Sequence, residues 1–185
     1  IGRPAPFAPQ SIEPVSLSEF ALIDRYFRGC GAQRTDVRVG VGDDAAILEC
    51  PVDSELVAAM DTLVDGVHFP HGSAPASVGH RALAVNLSDL AAMGARPAWA
   101  LLALTLPAAE ESWLSEFAAG MDALAHAHEV ALVGGDTTSG PLCVTVQLLG
   151  HVPRSSALLR SGGRAGDALF VSGTPGDAGA GLRLE

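Results

Sequence analysis

Lysine is absent from this chain: all 11 basic residues are arginines. Neither a phosphate loop ending in Lys-Ser/Thr nor a Schiff-base mechanism is therefore available to it. Positive charge is scarce as well, because 21 acidic residues leave a formal net charge of −10. That balance argues against nucleic acid and anionic membranes as partners, since Lys and Arg must neutralise phosphate in both cases. Cysteine is limited to Cys30, Cys50 and Cys143. An odd count without C-x-x-C spacing disfavours a disulfide frame or zinc site and suits the reduced thiols of a cytoplasmic protein. No stretch approaches the roughly 20 apolar residues that cross a bilayer. There is no Gly-x-Ser-x-Gly elbow and no Cys–His arrangement to support a nucleophilic triad.

What is present is an ordinary globular composition, 48% apolar and 17% charged over 185 residues, enough for one large or two small domains. The Pro-rich start, Ile1 to Gln10, lacks a hydrophobic signal region, and residues 1–15 are expected to form a flexible leader. The missing initiator Met and the end at Arg183-Leu184-Glu185 suggest a processed or truncated chain.

Periodicity predicts alternating elements. Ser16-Leu-Ser-Glu19 reads as a capping box that opens a helix ending near Gly29. Residues 45–49 and 55–60 read as a β-hairpin joined by Cys50-Pro-Val-Asp-Ser54. Residues 77–93 form a strongly apolar helix closed by Gly94 and Pro97. Strands follow at 99–106, 130–133 and 142–151, with an amphipathic helix over 110–128 between the first two. Antiparallel pairing is then open to much of the sheet, so the fold class is α+β or mixed α/β. The Ser/Gly/Arg-rich stretch after residue 154 marks a boundary. It separates a domain over 16–150 from a short piece, 151–185, read as a strand at 168–172, a glycine turn and a helix start. That piece is too short for a core of its own.

Four aspartates stand at the edges of apolar runs: Asp44 in Val-Gly-Asp-Asp, Asp61 in Ala-Met-Asp-Thr, Asp89 in Leu-Ser-Asp-Leu and Asp136 in Gly-Gly-Asp-Thr. Buried carboxylates must be paired or metal-bound, so their convergence would make a hard-cation site. Three of them also have a plainer reading. Gly42-Asp-Asp44 suits a turn, Asp61 a strand cap, and Asp89 a buried polar network with Asn86 and Ser88. The glycines before Asp136 would let backbone approach a ligand closely. His68 lies just beyond Asp61, where it could meet a substrate phosphate, whereas His126 and His128 read as solvated. Arg160, in Leu-Arg-Ser-Gly-Gly, suits a phosphate contact or an exposed surface equally.

Taken in order, these motifs resemble the thiamine-monophosphate kinase family within the aminoimidazole-ribonucleotide synthetase-like group. The resemblance is carried by Phe20-Ala-Leu-Ile-Asp-Arg-Tyr-Phe27, Val41-Gly-Asp-Asp-Ala-Ala46, Asp61-Thr-Leu-Val-Asp-Gly-Val-His-Phe69 and Ala84-Val-Asn-Leu-Ser-Asp-Leu-Ala-Ala-Met-Gly-Ala95. It continues through Leu104-Thr-Leu-Pro107, Gly134-Gly-Asp-Thr-Thr138, Leu159-Arg-Ser-Gly162 and Gly173-Thr-Pro-Gly-Asp177. It implies an N-terminal α/β domain that dimerises through its sheet, a second α/β domain downstream, and transfer of phosphate from ATP to thiamine monophosphate with Mg2+. Carried over by residue, it implies magnesium ligation by Asp44, Asp61, Asp89 and Asp136, with position 60 contributing its backbone carbonyl or a hydroxyl. It further implies ATP contacts from Asp44, Gly135, Asp136 and Arg160, and a substrate contact from His68. Met60 departs from the hydroxyl residues found in relatives, which is harmless only if the backbone is the ligand. The family's members are longer than this chain.

The implied acceptor is a phosphate oxygen, already ionised near neutral pH, so the aspartates are expected to act as metal scaffolding and not in proton transfer. Two other readings remain: an ATP-dependent synthetase of the same group, and a non-catalytic metal- and nucleotide-binding dimerisation module. A homodimer is expected on either count.

Overall fold

The computed structural model describes residues 18–171 and 173–183. A short helix, α1 (Glu19–Tyr26), leads into a two-stranded ribbon of β1 (Val37–Val39) and β2 (Ile47–Leu48). The main sheet comprises β3 (Ser54–Val64), β4 (Arg96–Leu106), β5 (Ala131–Ser139) and β6 (Cys143–Pro153), in the order β3-β6-β4-β5. Two long helices, α2 (Pro75–Ala92) and α3 (Glu111–Ala127), are inserted before and after β4. β4 and β5 are parallel, and the β3–β6 and β4–β6 pairs are antiparallel. The mixed α/β class with a mostly antiparallel sheet is as the sequence indicated.

One face of the sheet is covered by α2 and α3. Strand alternation sends Ala100, Leu102 and Leu104 from β4 and Val144, Val146 and Leu148 from β6 into that core. Val78, Ala82, Leu83 and Leu90 of α2 meet them, together with Leu114, Phe117 and Met121 of α3. Glycine brings the two helices together. A Cβ on Gly79 would lie 2.1 Å from the Phe117 carbonyl oxygen, and one on Gly120 would lie 2.0 Å from that of Ala76. Only hydrogen fits at this crossing, so alanine at either position would force the helices apart.

Several sequence-based expectations are corrected. The hairpin over 45–49 and 55–60 does not form. Ile47–Leu48 pairs instead with Val37–Val39, and β3 pairs along its whole length with β6. Local turn chemistry pointed to neighbours in sequence, whereas burial of an eleven-residue apolar strand is satisfied by a distant one. The first helix starts at Glu19 with Ser18 as its cap, the Ser18 hydroxyl accepting from Ala21 N–H at 3.3 Å. It stops at Tyr26, short of Gly29; Ser16 and the 1–15 leader lie outside the described residues. The edges of the sheet are β3 and β5. Residues 168–171 form no strand, and residue 172 lies outside the described residues. From Leu158 through Arg183 every described side chain is exposed, and among the described residues there the regular structure is a turn of 3-10 helix at Arg160–Gly162 and α4 (Asp177–Leu182).

Candidate functional site

The face of the sheet opposite α2 and α3 is partly open. It floors a cleft of about 1140 Å³ with Met60 of β3, Leu101 and Ala103 of β4, and Thr145 and Gln147 of β6. The walls come from α1, through Phe20, Asp24 and Arg28, and from the β1–β2 turn, through Gly42, Asp43 and Asp44. β5 contributes Gly134, Gly135 and Asp136. A volume at the upper end of small-molecule sites leaves room for a ligand as large as a nucleotide.

A bulge aims Asp136 at this cleft. On β5, Leu132 pairs with Ala100 and Gly134 with Leu101, which leaves Val133 as an extra residue. That insertion reverses the alternation of side chains beyond it, so Asp136, paired with Ala103, lies on the open face and Gly135 does not. Gly135 holds φ at +151°, and a Cβ there would sit 1.8 Å from the Leu102 carbonyl oxygen. The paired glycines thus let β5 run flush against β4 before the carboxylate emerges.

Asp44 is held on the exposed turn of the ribbon, where Asp43 Oδ1 accepts from its N–H at 2.8 Å. Gly42 has φ +119° and faces the Arg28 guanidinium, 3.0 Å from where a Cβ would be. Arg28 is in turn ion-paired with Asp24. Met60 is 64% exposed on the open face, as the alternation of β3 requires.

The other sequence-predicted residues lie elsewhere. Asp61 alternates away from Met60 onto the helix-covered side of β3, alongside Ala59 and Leu63. Asp89 is on the exposed side of α2, beside Ser88, Ala91 and Ala92, which face solvent too. The buried polar residue of that helix is Asn86, whose Nδ2 donates to the Ala82 carbonyl at 3.1 Å while its Oδ1 lacks a partner. His68 is exposed in the loop after β3, and its Nδ1 accepts from Val64 N–H at 3.0 Å. That bond places the proton of a neutral ring on Nε2 and turns this nitrogen outward as a donor. Arg160 is exposed on its 3-10 turn and does not line the cleft. Among the described residues no three His, Cys, Asp or Glu side chains gather into a group that would hold a metal.

The donor set still fits magnesium in one particular manner. Mg2+ keeps most of its waters and commonly binds through one or two carboxylates plus substrate phosphates, without an all-protein cage. Asp44 and Asp136 on two walls of one cleft supply hard oxygen donors of that number and kind. A preformed four-aspartate centre is not what the geometry presents.

Sequence reasoning overlooked the support of the acidic turn. The Asp36 carboxylate, immediately before β1, accepts from Arg34 Nε at 2.9 Å and from Trp99 Nε1 at 3.1 Å through Oδ1, and from a terminal Arg34 nitrogen at 2.5 Å through Oδ2. The Arg34 hydrogen bonds hold this carboxyl below its ordinary pKa, against the opposing effect of partial burial, and the Trp99 bond adds to the shift. His151 packs beside Trp99 with ring centroids 6.4 Å apart, and its pKa is lowered by burial first and by Arg34 and Arg96 next. An Arg-x-Asp pair ahead of a ribbon is legible in sequence, but a tryptophan 63 residues away is not.

Fold and cleft together define a mixed α/β domain, with helices on one sheet face and a glycine-edged acidic cleft on the other, built without a phosphate loop. Residues 42–152 match the AIR synthase related protein, N-terminal domain, and the chain belongs to that family. It is 50% identical over 170 residues to a thiamine-monophosphate kinase of Salmonella typhimurium, a match covering 92% of this chain and 52% of that protein. Among solved structures it resembles a thiamine-monophosphate kinase from Stenotrophomonas maltophilia, with a TM-score of 0.78 and 53% identity over 82% of this chain and 48% of the other. It also resembles AaThiL complexed with AMPPCP and TMP, with a TM-score of 0.68 and 38% identity over 78% and 46% of the two chains. The chain spans about half the length of the curated relatives it matches.

Proposed function

We propose that this chain forms the nucleotide- and magnesium-binding half of an ATP-dependent kinase that phosphorylates thiamine monophosphate to thiamine diphosphate. The observation that carries the reading is the cleft: Asp44 and Asp136 face one space of nucleotide size, in a family whose relatives bear that name. A solved relative complexed with AMPPCP and TMP supports the same two ligand classes.

Magnesium held there would offset the repulsion between two polyanions and stabilise charge on the transferred phosphoryl group. The part of the chain's own residues is positional. Asp44 and Asp136 would hold hydrated metal against the nucleotide phosphates, and Gly135, whose close packing on Leu102 sets the path of β5, would bring its backbone and the neighbouring Asp136 to the nucleotide. Met60 presents only its backbone carbonyl as a donor. Asp61, on the far face of β3, and Asp89, on α2, would join this set only if β3 and α2 themselves moved relative to the cleft. His68 offers Nε2–H to the phosphate of the acceptor, and Arg160 a planar guanidinium to ATP. No residue need remove a proton, because the accepting phosphate oxygen is already ionised near neutral pH.

Residues 16–150 form the working domain in this reading, and residues 151–185 open a second one. The exposed Leu169, Phe170 and Val171 suit a segment that packs against further structure. The second copy of a cytoplasmic homodimer would lie along β3, the edge strand of the sheet, and leave the cleft open. A binding module without turnover remains a second reading, favoured by the chain's spanning only about half of its relatives.

The experiment is an assay of thiamine diphosphate formation with ATP and magnesium, run beside the Salmonella typhimurium relative. The expected result is ATP consumption stimulated by thiamine monophosphate and not by aminoimidazole precursors, at a rate well below the relative's. Stimulation by an aminoimidazole substrate alone would assign the chain to a synthetase instead.

A further inference from the structure

We infer that Asp36 is a positioning residue: clamped between Arg34 and Trp99, it sets where the β1–β2 turn, and with it the Asp44 carboxylate, stands over the cleft. The inference rests on the reading of Asp44 as a magnesium ligand given above.

The β1–β2 ribbon cannot hold its own place. It has two paired positions, Val37 with Leu48 and Val39 with Ile47, with an irregularity between them. A two-stranded ribbon of ordinary length is already marginal in water, and this one is shorter still. Its location must come from attachments to the main sheet. One is apolar, through Val37, Ala46 and Leu48 packed on the small cluster of Ala98, Trp99, Ala131 and Val133. Such contacts are non-directional and would tolerate sliding of the ribbon.

The directional attachment is Asp36. Its carboxylate receives three hydrogen bonds, two from Arg34 and one from the indole of Trp99, which is 1% exposed on β4. Its carbonyl accepts from Glu49 N–H at 2.8 Å, so the same residue ties the far end of β2. Arg34 extends the clamp toward β5 by donating to the Glu129 carbonyl at 2.8 Å, and its guanidinium lies 5.7 Å from the Trp99 ring centroid. The anchor points are therefore β4 and the approach to β5. Those are the two strands whose bulged pairing aims Asp136. One clamp thus fixes the turn carrying Asp44 relative to the strand carrying Asp136, and the separation of the two carboxylates depends on it. A role confined to overall stability would not single out that separation.

The test compares Asp36→Asn, Trp99→Phe and Asp44→Asn with the unaltered chain. It uses hydrogen exchange resolved by peptide and calorimetric titration of AMPPCP in the presence of magnesium. Loss of partners that orient a metal ligand typically costs about 10- to 100-fold in affinity. Asp36→Asn should weaken AMPPCP binding by a factor in that range and raise exchange over residues 36–49, while protection of β4 and β6 is retained. Trp99→Phe keeps an aromatic side chain and removes the indole donor, so it should shift both readouts in the same direction by less, and it serves if Asp36→Asn does not fold. If Asp44→Asn weakens binding while both clamp variants bind as the parent does, the inference is overturned. If Asp44→Asn binds normally, the metal reading of Asp44 fails. The clamp is then judged by exchange alone, and unchanged exchange over 36–49 overturns it.

Discussion

Gly135 and Leu102 lie side by side across the parallel β4–β5 pair, so close that a Cβ on the glycine would sit 1.8 Å from the leucine's carbonyl oxygen. The contact is with backbone, which no rotamer change relieves, and the φ of +151° is one that side-chain-bearing residues rarely adopt. Gly135→Ala should therefore destabilise the fold by about 2 kcal/mol or more and displace Asp136, its neighbour in the cleft. Thermal unfolding checks the first effect. A variant with the parent's melting temperature would mean that β5 has room to shift.

Cys30 supplies a pH test. Burial, with the Asp122 carboxylate adding to it, pushes its thiol up from the ordinary 9.0 to about 12. A raised folded-state value means that stability from the neutral thiol is full below pH 9 and is lost as pH climbs from there toward 12. The chain should accordingly lose stability across that alkaline window, and Cys30→Ser, with no such thiol to ionise, should lose less of it. Iodoacetamide followed by peptide mass analysis should label the exposed Cys50 first and Cys30 only on unfolding. Labelling of Cys30 in the native chain at the rate of Cys50 would contradict its burial.

Leu56, on β3 and outside the cleft lining, is 57% exposed. Such a surface on β3, an edge strand, suits a second copy of the chain. Light scattering at micromolar concentration should give twice the chain mass, and Leu56→Asp should reduce it to that of a monomer. A monomeric parent chain rules this surface out as a dimer interface.

Much of this architecture is legible in the sequence, for reasons that also explain what is not. α2, α3 and β4 bury long apolar faces, and their periodicity shows it. β5 reads as ending at Val133 because Gly134 and Gly135 look like breakers, yet it continues to Ser139 since those glycines are what allow it to lie against Leu102. The ribbon is misread because β3 pairs with β6, about a hundred residues away, and not with its neighbour in sequence. Asp44 and Asp136 are recognisable from their glycines, and the structure places both on the cleft. Asp61 points to the other side of β3, because alternation fixes it opposite Met60. The Arg34–Asp36–Trp99 clamp joins residues whose proximity only the folded chain creates.

The central claim is that the acidic cleft binds nucleotide through magnesium, and calorimetric titration of AMPPCP with and without magnesium tests it most directly. Binding should be seen with the metal and weaken at least about tenfold on its removal by chelator, with Asp136→Asn showing a comparable loss in its presence. Equal affinity with magnesium and with chelator, or an Asp136→Asn variant that binds as the parent chain does, would contradict the account.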